Sequence, residues 1–290
     1  MAVIATGFFD GVHTGHRLVI DNLLSEARAR GEQSVIVSFW PHPRAVLQSG
    51  ADSLRYLSSR DGRLDMLRSL GVDEVLSLRF TREFAAMDCR EYLQMLCRDY
   101  QCSALVLGYD TRFGREQAGP DAIAAQARSM GLGAVITPPV LYGGTPVSSS
   151  RIRAALSEGD TALADKLLGR PYRLEGVVVS GNRLGRTIGF PTANMKLYEP
   201  LMLIPKPGVY STRVHVLGKE FSGMTNIGTR PTVSNRDTLT IETHILDFDE
   251  MIYGLDISID FQERIREERK FASLEALKFQ LQQDVRVLKK

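Results

Sequence analysis

Short apolar, β-branched runs alternate with amphipathic segments through the first half of the chain. Residues 3–6, 34–39, 75–78, 104–107 and 135–137 read as strands. Between them, residues 18–30, 62–70, 83–98 and 121–130 repeat apolar positions at spacings near three and four, the mark of helices with one buried face. Five such units predict a parallel sheet in a three-layer, Rossmann-like α/β arrangement. A shorter helical stretch, 155–168, ends at Gly169-Arg170-Pro171.

The period then changes to two. Leu239, Ile241, Thr243 and Ile245 alternate with Thr240, Glu242, His244 and Leu246, and the same alternation runs over 255–261. Residues 172–180 and 209–217 add two more strands, and Gly and Pro punctuate the joins, so the second half predicts an antiparallel barrel or sandwich. Leu274, Leu277, Leu281, Val285 and Leu288 form one helical stripe, suited to cover a barrel or to meet a partner. The change of period near residues 160 to 170 divides the chain into 1–160 and 161–290. No internal repeat relates the halves.

Composition narrows the picture less than pattern does. Of 290 residues, 43% are apolar and 24% charged, which excludes disorder for the bulk of the chain. Thirty-six Lys and Arg against 34 Asp and Glu leave +2, too even to argue for nucleic acid or a membrane surface as partner. Cys89, Cys97 and Cys102 fit neither a disulfide framework nor a closed zinc site and are expected as buried thiols in a reducing cytoplasm. No basic leader or membrane-spanning run is apparent.

The first strand runs into Gly7-Phe8-Phe9-Asp10-Gly11-Val12-His13-Thr14-Gly15-His16, directly before a helical pattern. Glycines permit tight turns and close approach, and a helix start offers free N–H groups and a positive dipole end, a geometry suited to phosphate. His13 and His16, three apart, can face one anion; as metal ligands they would lack an obvious third partner beyond Asp10. Asp10 itself suits Mg²⁺, orientation of the loop, or a local cap.

This segment, with Phe39-Trp40-Pro41-His42-Pro43, Gly108-Tyr109-Asp110-Thr111-Arg112-Phe113-Gly114 and Ser148-Ser149-Ser150-Arg151-Ile152-Arg153, resembles the HxGH nucleotidyltransferases. Within them it resembles the adenylyltransferase half of prokaryotic bifunctional riboflavin kinase/FMN adenylyltransferases, the FAD synthetase family. The resemblance implies that His13, His16 and Arg153 serve catalysis. It also implies that Gly7, Phe9, Asp10, Gly11, Gly15, Ser148, Ser149, Ser150 and Arg151 attend the ATP phosphates. Phe8 and Tyr109 depart from the family pattern.

Farther along, Gly181-Asn182-Arg183-Leu184-Gly185-Arg186-Thr187-Ile188-Gly189-Phe190-Pro191-Thr192-Ala193-Asn194 lacks the Walker ending and resembles the riboflavin kinase signature. The likeness continues through Pro207-Gly208-Val209-Tyr210, Asn226-Ile227-Gly228-Thr229-Arg230-Pro231-Thr232, Glu242-Thr243-His244 and Arg269-Lys270-Phe271. It implies ATP phosphates at Gly181, Arg186, Gly189, Pro191 and Thr192, and flavin at Asn226, Arg230, Arg269 and Phe271. A Thr192 hydroxyl and an Asn194 carbonyl are neutral oxygens able to complete an Mg²⁺ shell rich in phosphate oxygens. Glu242 alternates with Ile241 and Thr243, so its carboxylate faces away from them; in the family this glutamate activates the riboflavin hydroxyl.

The implied reactions are riboflavin plus ATP to FMN in the C-terminal half and FMN plus ATP to FAD and pyrophosphate in the N-terminal half, both with Mg²⁺. Two alternatives stand beside them: one half without catalysis, or a flavin- or nucleotide-binding regulator. Oligomeric state is open.

Overall fold

The computed structural model describes residues 1–47, 54–181, 184–230 and 238–288. The chain separates into two compact units, Met1–Ser149 and Ser150–Lys290. In chain order the first holds β1 (Ala2–Thr6), α1 (Thr14–Arg30), β2 (Gln33–Trp40), α2 (Pro43–Leu47), α3 (Arg60–Ser69), β3 (Glu74–Arg79), α4 (Arg82–Ala85), α5 (Cys89–Tyr100), β4 (Cys102–Gly108), α6 (Pro120–Ser129), β5 (Gly133–Thr137), β6 (Leu141–Tyr142) and β7 (Thr145–Pro146).

Its parallel sheet runs β3-β2-β1-β4-β5. Every residue of the central β1 is buried, because each face meets helices. Ala2 and Ile4 join Val35, Val37, Leu105 and Leu107 beneath α5 and α6. Val3 and Ala5 face the other way with Ile36, Ala104 and Val106, against α1 and Leu67 of α3. Strand order reverses between β1 and β4, so the crevice where α/β sheets receive ligands lies at their carboxyl ends. The glycine- and histidine-bearing loop leaves β1 there, and Gly108-Tyr109-Asp110 leaves β4.

The second unit holds α7 (Ser149–Glu158), which straddles the division, α8 (Thr161–Leu168), β8 (Tyr172–Val179), α9 (Leu184–Thr187), β9 (Ala193–Leu197), β10 (Gly208–Val216), β11 (Lys219–Arg230), β12 (Thr238–Ile245), β13 (Asp256–Arg266) and α10 (Leu274–Leu288). Its strands close into a barrel ordered β10-β11-β12-β9-β8-β13. The division falls ahead of residue 160 because α7 and α8 are tied to the barrel unit. The Leu156 carbonyl accepts from the Lys206 N–H (3.0 Å), and Thr161 Oγ1 donates to the Gln262 carbonyl (2.8 Å).

Three expectations need correction. The stretch 83–98 is two helices, because Asp88 and Glu91 form a capping box that starts α5 afresh. Likewise 155–168 belongs to two helices, broken where Gly159 takes a left-handed φ of 80° and Asp160 caps α8. Two strands, β9 and β11, were not apparent from alternation. Along β11 the inward positions include Gly223 and Thr225, so the apolar period is lost. A Cβ at Gly223 would come within 2.6 Å of Val214 Cγ2.

Inside the barrel the hydroxyls of Thr212, Thr225 and Thr243 form a chain, each step 2.9 Å, with all three residues buried. Thr225 is the shared middle member. Thr225→Val keeps the shape and strips both neighbours of a partner, so a loss of about 1–3 kcal/mol is expected. Reduced hydrogen-exchange protection of the β10, β11 and β12 amides is the measurement; unchanged protection would contradict it.

Candidate active sites

Between β1 and α1 the backbone turns sharply: Phe9, Gly11 and Val12 all take left-handed φ values of 57°, 78° and 40°. Only glycine does so without cost; for a β-branched Val12 the conformation is strained and must be held by its surroundings. Asp10 supplies much of that hold. Its buried carboxylate accepts from the backbone N–H groups of Leu57 (3.0 Å) and Ser58 (3.1 Å) and from Ser58 Oγ (3.2 Å), while the Gly11 N–H donates back to Ser58 Oγ (3.0 Å). Ser149 Oγ donates to the Asp10 carbonyl (3.0 Å). Of the uses open to Asp10 in the sequence, this geometry matches orientation of the loop.

His13 caps α1: the His16 N–H donates to its Nδ1 (3.2 Å), which therefore carries no proton. The two imidazoles stack at 3.6 Å with planes 16° apart. Glycine at 15 follows from that packing, since a Cβ there would press to 3.2 Å of the His13 ring. His16 is half-buried, with the edge of Phe9 against it at 5.2 Å and its Nδ1 shielded from solvent without a hydrogen-bond partner. Burial first, then His13 and Arg63, hold its pKa well below the ordinary histidine value, so it is neutral at pH 7.

Arg63 was not singled out from sequence. Its guanidinium lies 3.9 Å over the Phe8 ring and donates to the Phe39 carbonyl (3.2 Å), while Nε and Nη1 have no partner. Burial lowers its pKa to about 10, and it keeps its charge. Phe8 also meets His42 (4.2 Å) and Tyr56 (6.0 Å). Ser150, Arg151 and Arg153 lie in α7, within the second unit, while Ser148 directly precedes that helix.

In the barrel, register assembles the second group. Asn226 of β11 stands opposite Glu242 of β12, and Glu242 stands opposite Asn194 of β9. Directly opposed residues share a face, so three side chains from three strands form one row. Their neighbours Thr225, Thr243 and Ala193 are buried inward. The row thus lies on the outer face of the barrel, where a cavity of about 400 Å³ is lined by Thr192, Asn226, Glu242, His244, Arg269 and Phe271 among others.

Two members of the stripe on α10 reach this cavity, while Leu274 stays exposed. Leu277 and Leu281 line it, and Asp284 anchors the helix by accepting two guanidinium donors from Arg266 (2.9 and 2.8 Å). Arg269 stacks over Phe271 at 5.0 Å.

A smaller adjoining pocket gathers Gly181, Arg186, Pro191, Thr192 and Asn194 with Tyr253. A Cβ at Gly181 would lie 2.4 Å from the Asn194 amide, so glycine makes room for that side chain. Gly189 turns the chain at φ 83°, and Arg230 ends β11. Asn182, Arg183, Pro231 and Thr232 are outside the described residues. Arg266 and Tyr253 were not assigned from sequence, whereas the parity of His244 with Glu242 already left it a supporting role.

Among the described residues no group of three His, Cys, Asp or Glu could hold a metal ion, and no helix is long and apolar enough to cross a membrane. Thr192 and Asn194 fit a hard cation that arrives with phosphate oxygens of its own. Burial pushes the Cys89 and Cys102 thiols up to about 11 and about 12, so neither is a ready nucleophile.

The depressed pKa of His16 has a measurable sign. Below about pH 6.5 the unfolded chain protonates this residue while the folded unit does not, so acid destabilises the α/β unit by up to about 1.4 kcal/mol per pH unit. His16→Gln is expected to flatten that part of the profile between about pH 6.5 and 5, read by thermal unfolding. Imidazole NMR showing His16 half-protonated near pH 6.5 would refute the assignment.

Family models match both halves: FAD synthetase over residues 1–151 and riboflavin kinase over 168–290. Curated relatives include the bifunctional riboflavin kinase/FMN adenylyltransferases of Escherichia coli K12, 39% identical over 97% of this chain and 90% of that protein, and of Listeria monocytogenes, 36% identical over the same shares. A crystal structure from Streptococcus pneumoniae, described as a macrolide-efflux protein, matches with TM-score 0.93 at 30% identity, covering 100% of this chain and 94% of that one. With both halves matched in the same order and relatives alike across nearly the whole length, the chain belongs to the bifunctional riboflavin kinase/FMN adenylyltransferase family.

Proposed function

We infer that the chain makes FAD from riboflavin in two ATP-dependent steps, one in each half. In the C-terminal half, the riboflavin 5′-hydroxyl oxygen bonds to the γ-phosphorus of ATP as the bond to ADP breaks, giving FMN. In the N-terminal half, a phosphate oxygen of FMN bonds to the α-phosphorus of a second ATP and pyrophosphate leaves.

The two nucleophiles differ, and the residues differ accordingly. An alcohol must lose a proton as it attacks, and Glu242 is the acceptor we assign. Its place in the row with Asn226 and Asn194, beside a cavity large enough for a flavin ring, is the observation that carries this reading. Asn226, Arg230, Arg269 and Phe271 serve the flavin, and Gly181, Arg186, Gly189, Pro191 and Thr192 serve the nucleotide phosphates. Thr192 and Asn194 would hold Mg²⁺, which when bound neutralises charge on the departing diphosphate.

FMN phosphate needs no such base, because it is already anionic near neutral pH. There the demand is stabilisation of charge on the leaving pyrophosphate. We assign that to His13, which caps α1, and His16, on its first turn; for Arg153 the family resemblance alone carries the same role. Gly7, Phe9, Asp10, Gly11 and Gly15 shape the phosphate-facing loop, and Ser148, Ser149, Ser150 and Arg151 contribute donors. A neutral His16 still carries one ring N–H to donate to phosphate, without the repulsion of a second cation beside Arg63.

Crossed assays test the division of labour. Glu242→Gln is expected to lower FMN formation by about 10²-fold or more while FAD formation from supplied FMN is unchanged. His16→Ala is expected to lower FAD formation by about 10²-fold and leave FMN formation intact. Product analysis over time reads both, and a full phosphorylation rate in Glu242→Gln would remove the base assignment.

A further inference from the structure

The ladder between β9 and β12 pairs Ile241 with Met195, Glu242 with Asn194 and Thr243 with Ala193, and ends there. One step farther the β9 side reaches Thr192 and then Pro191, which has no N–H to contribute. At this point a side chain replaces the ladder. His244 Nδ1 lies 2.8 Å from the Pro191 carbonyl oxygen. A carbonyl only accepts, so Nδ1 carries the proton and donates it. The edge-on ring of Phe190, 5.1 Å away, packs on the same imidazole.

We propose that His244 is a positioning residue for phosphoryl transfer: by holding the Pro191 carbonyl it fixes Thr192 in place relative to Glu242. The inference rests on the kinase reading of the C-terminal half. Thr192 is adjacent to the held carbonyl and lines both the large cavity and the small pocket, so it stands where the flavin side meets the nucleotide side. Glu242, two residues before His244 on β12, shares its face and its cavity. One hydrogen bond therefore sets the spacing between the segment assigned to metal and phosphate and the strand assigned to the base. A displacement near 1 Å between such groups can cost about 10²-fold in rate.

Three variants of the full chain separate positioning from packing. His244→Phe keeps the ring against Phe190 and loses the donor. His244→Asn puts an amide N–H where Nδ1 stands, and His244→Gln puts it where Nε2 stands. His244→Phe and His244→Gln are expected to lower kcat for riboflavin phosphorylation by about tenfold or more with KM for riboflavin within about twofold, whereas His244→Asn stays within about threefold of the parent. A readout without turnover accompanies these rates. In quenching of riboflavin fluorescence with ADP and Mg²⁺, the half-saturating ADP concentration is expected to rise about fivefold in His244→Phe and to hold in His244→Asn.

FAD formation from supplied FMN serves as the control and is expected to be unchanged throughout. Parent-like kcat in His244→Phe would overturn the proposal, as would equal impairment in His244→Asn and His244→Gln, or a rise in KM for riboflavin alone. Should His244→Phe not fold, the contrast of Asn with Gln decides by itself. Failure of the unaltered chain to make FMN would strike the kinase reading instead.

Discussion

In β12 a slip of one residue would turn Ile241, Thr243 and Ile245 out of the barrel and drive Glu242 and His244 into it. Burying a carboxylate in that interior without a partner is far costlier than any gain from the slip. Three buried residues therefore hold the register, and the register holds the chemistry. Because β11 and β9 pair on either side, Asn226 and Asn194 are locked to Glu242 across three strands. The Thr212-Thr225-Thr243 hydroxyl chain lies on the inner face of β10, β11 and β12, so along β11 and β12 core packing and site geometry are two sides of one ladder.

A different constraint shapes the N-terminal half. A parallel sheet covered on both faces leaves ligands only the edge formed by strand ends, and reversal of strand order opens a crevice there. The loop leaving β1 must bend at once into α1. It does so with two non-glycine residues in left-handed conformations, restrained by the Asp10 carboxylate and its bonds to Leu57 and Ser58. The buried polar group thus replaces the regular hydrogen bonding that the loop forgoes. Stacked histidines, one capping the helix and one kept neutral by burial, follow from that tight turn.

The net charge of +2 averages over these arrangements. The Arg63 charge, buried over the face of Phe8 and within the field of Asp10, is one such local arrangement that the net charge does not reveal.

Alternation in residues 239–246 and helical spacing in the first half sufficed to specify two folding patterns, because burial of one face imposes a fixed period on the chain. Glycine-rich segments and the parity of Glu242 marked both candidate sites for the same reason: conformational freedom and facing direction are local properties. Other features had no local signature. β11 was hidden because the barrel interior there accepts Gly223 and Thr225 in place of apolar side chains, a choice made by Val214 and Thr212 across the sheet. Arg63 carries no local mark of its burial, which Phe8 and the Phe39 carbonyl impose from distant parts of the chain. The partnership of His244 with Pro191 spans 53 positions of chain. Sequence by itself determined which face of each strand and helix is buried; tertiary structure alone decided which of those faces meet, because contact between distant residues depends on pairing and register that no local period encodes.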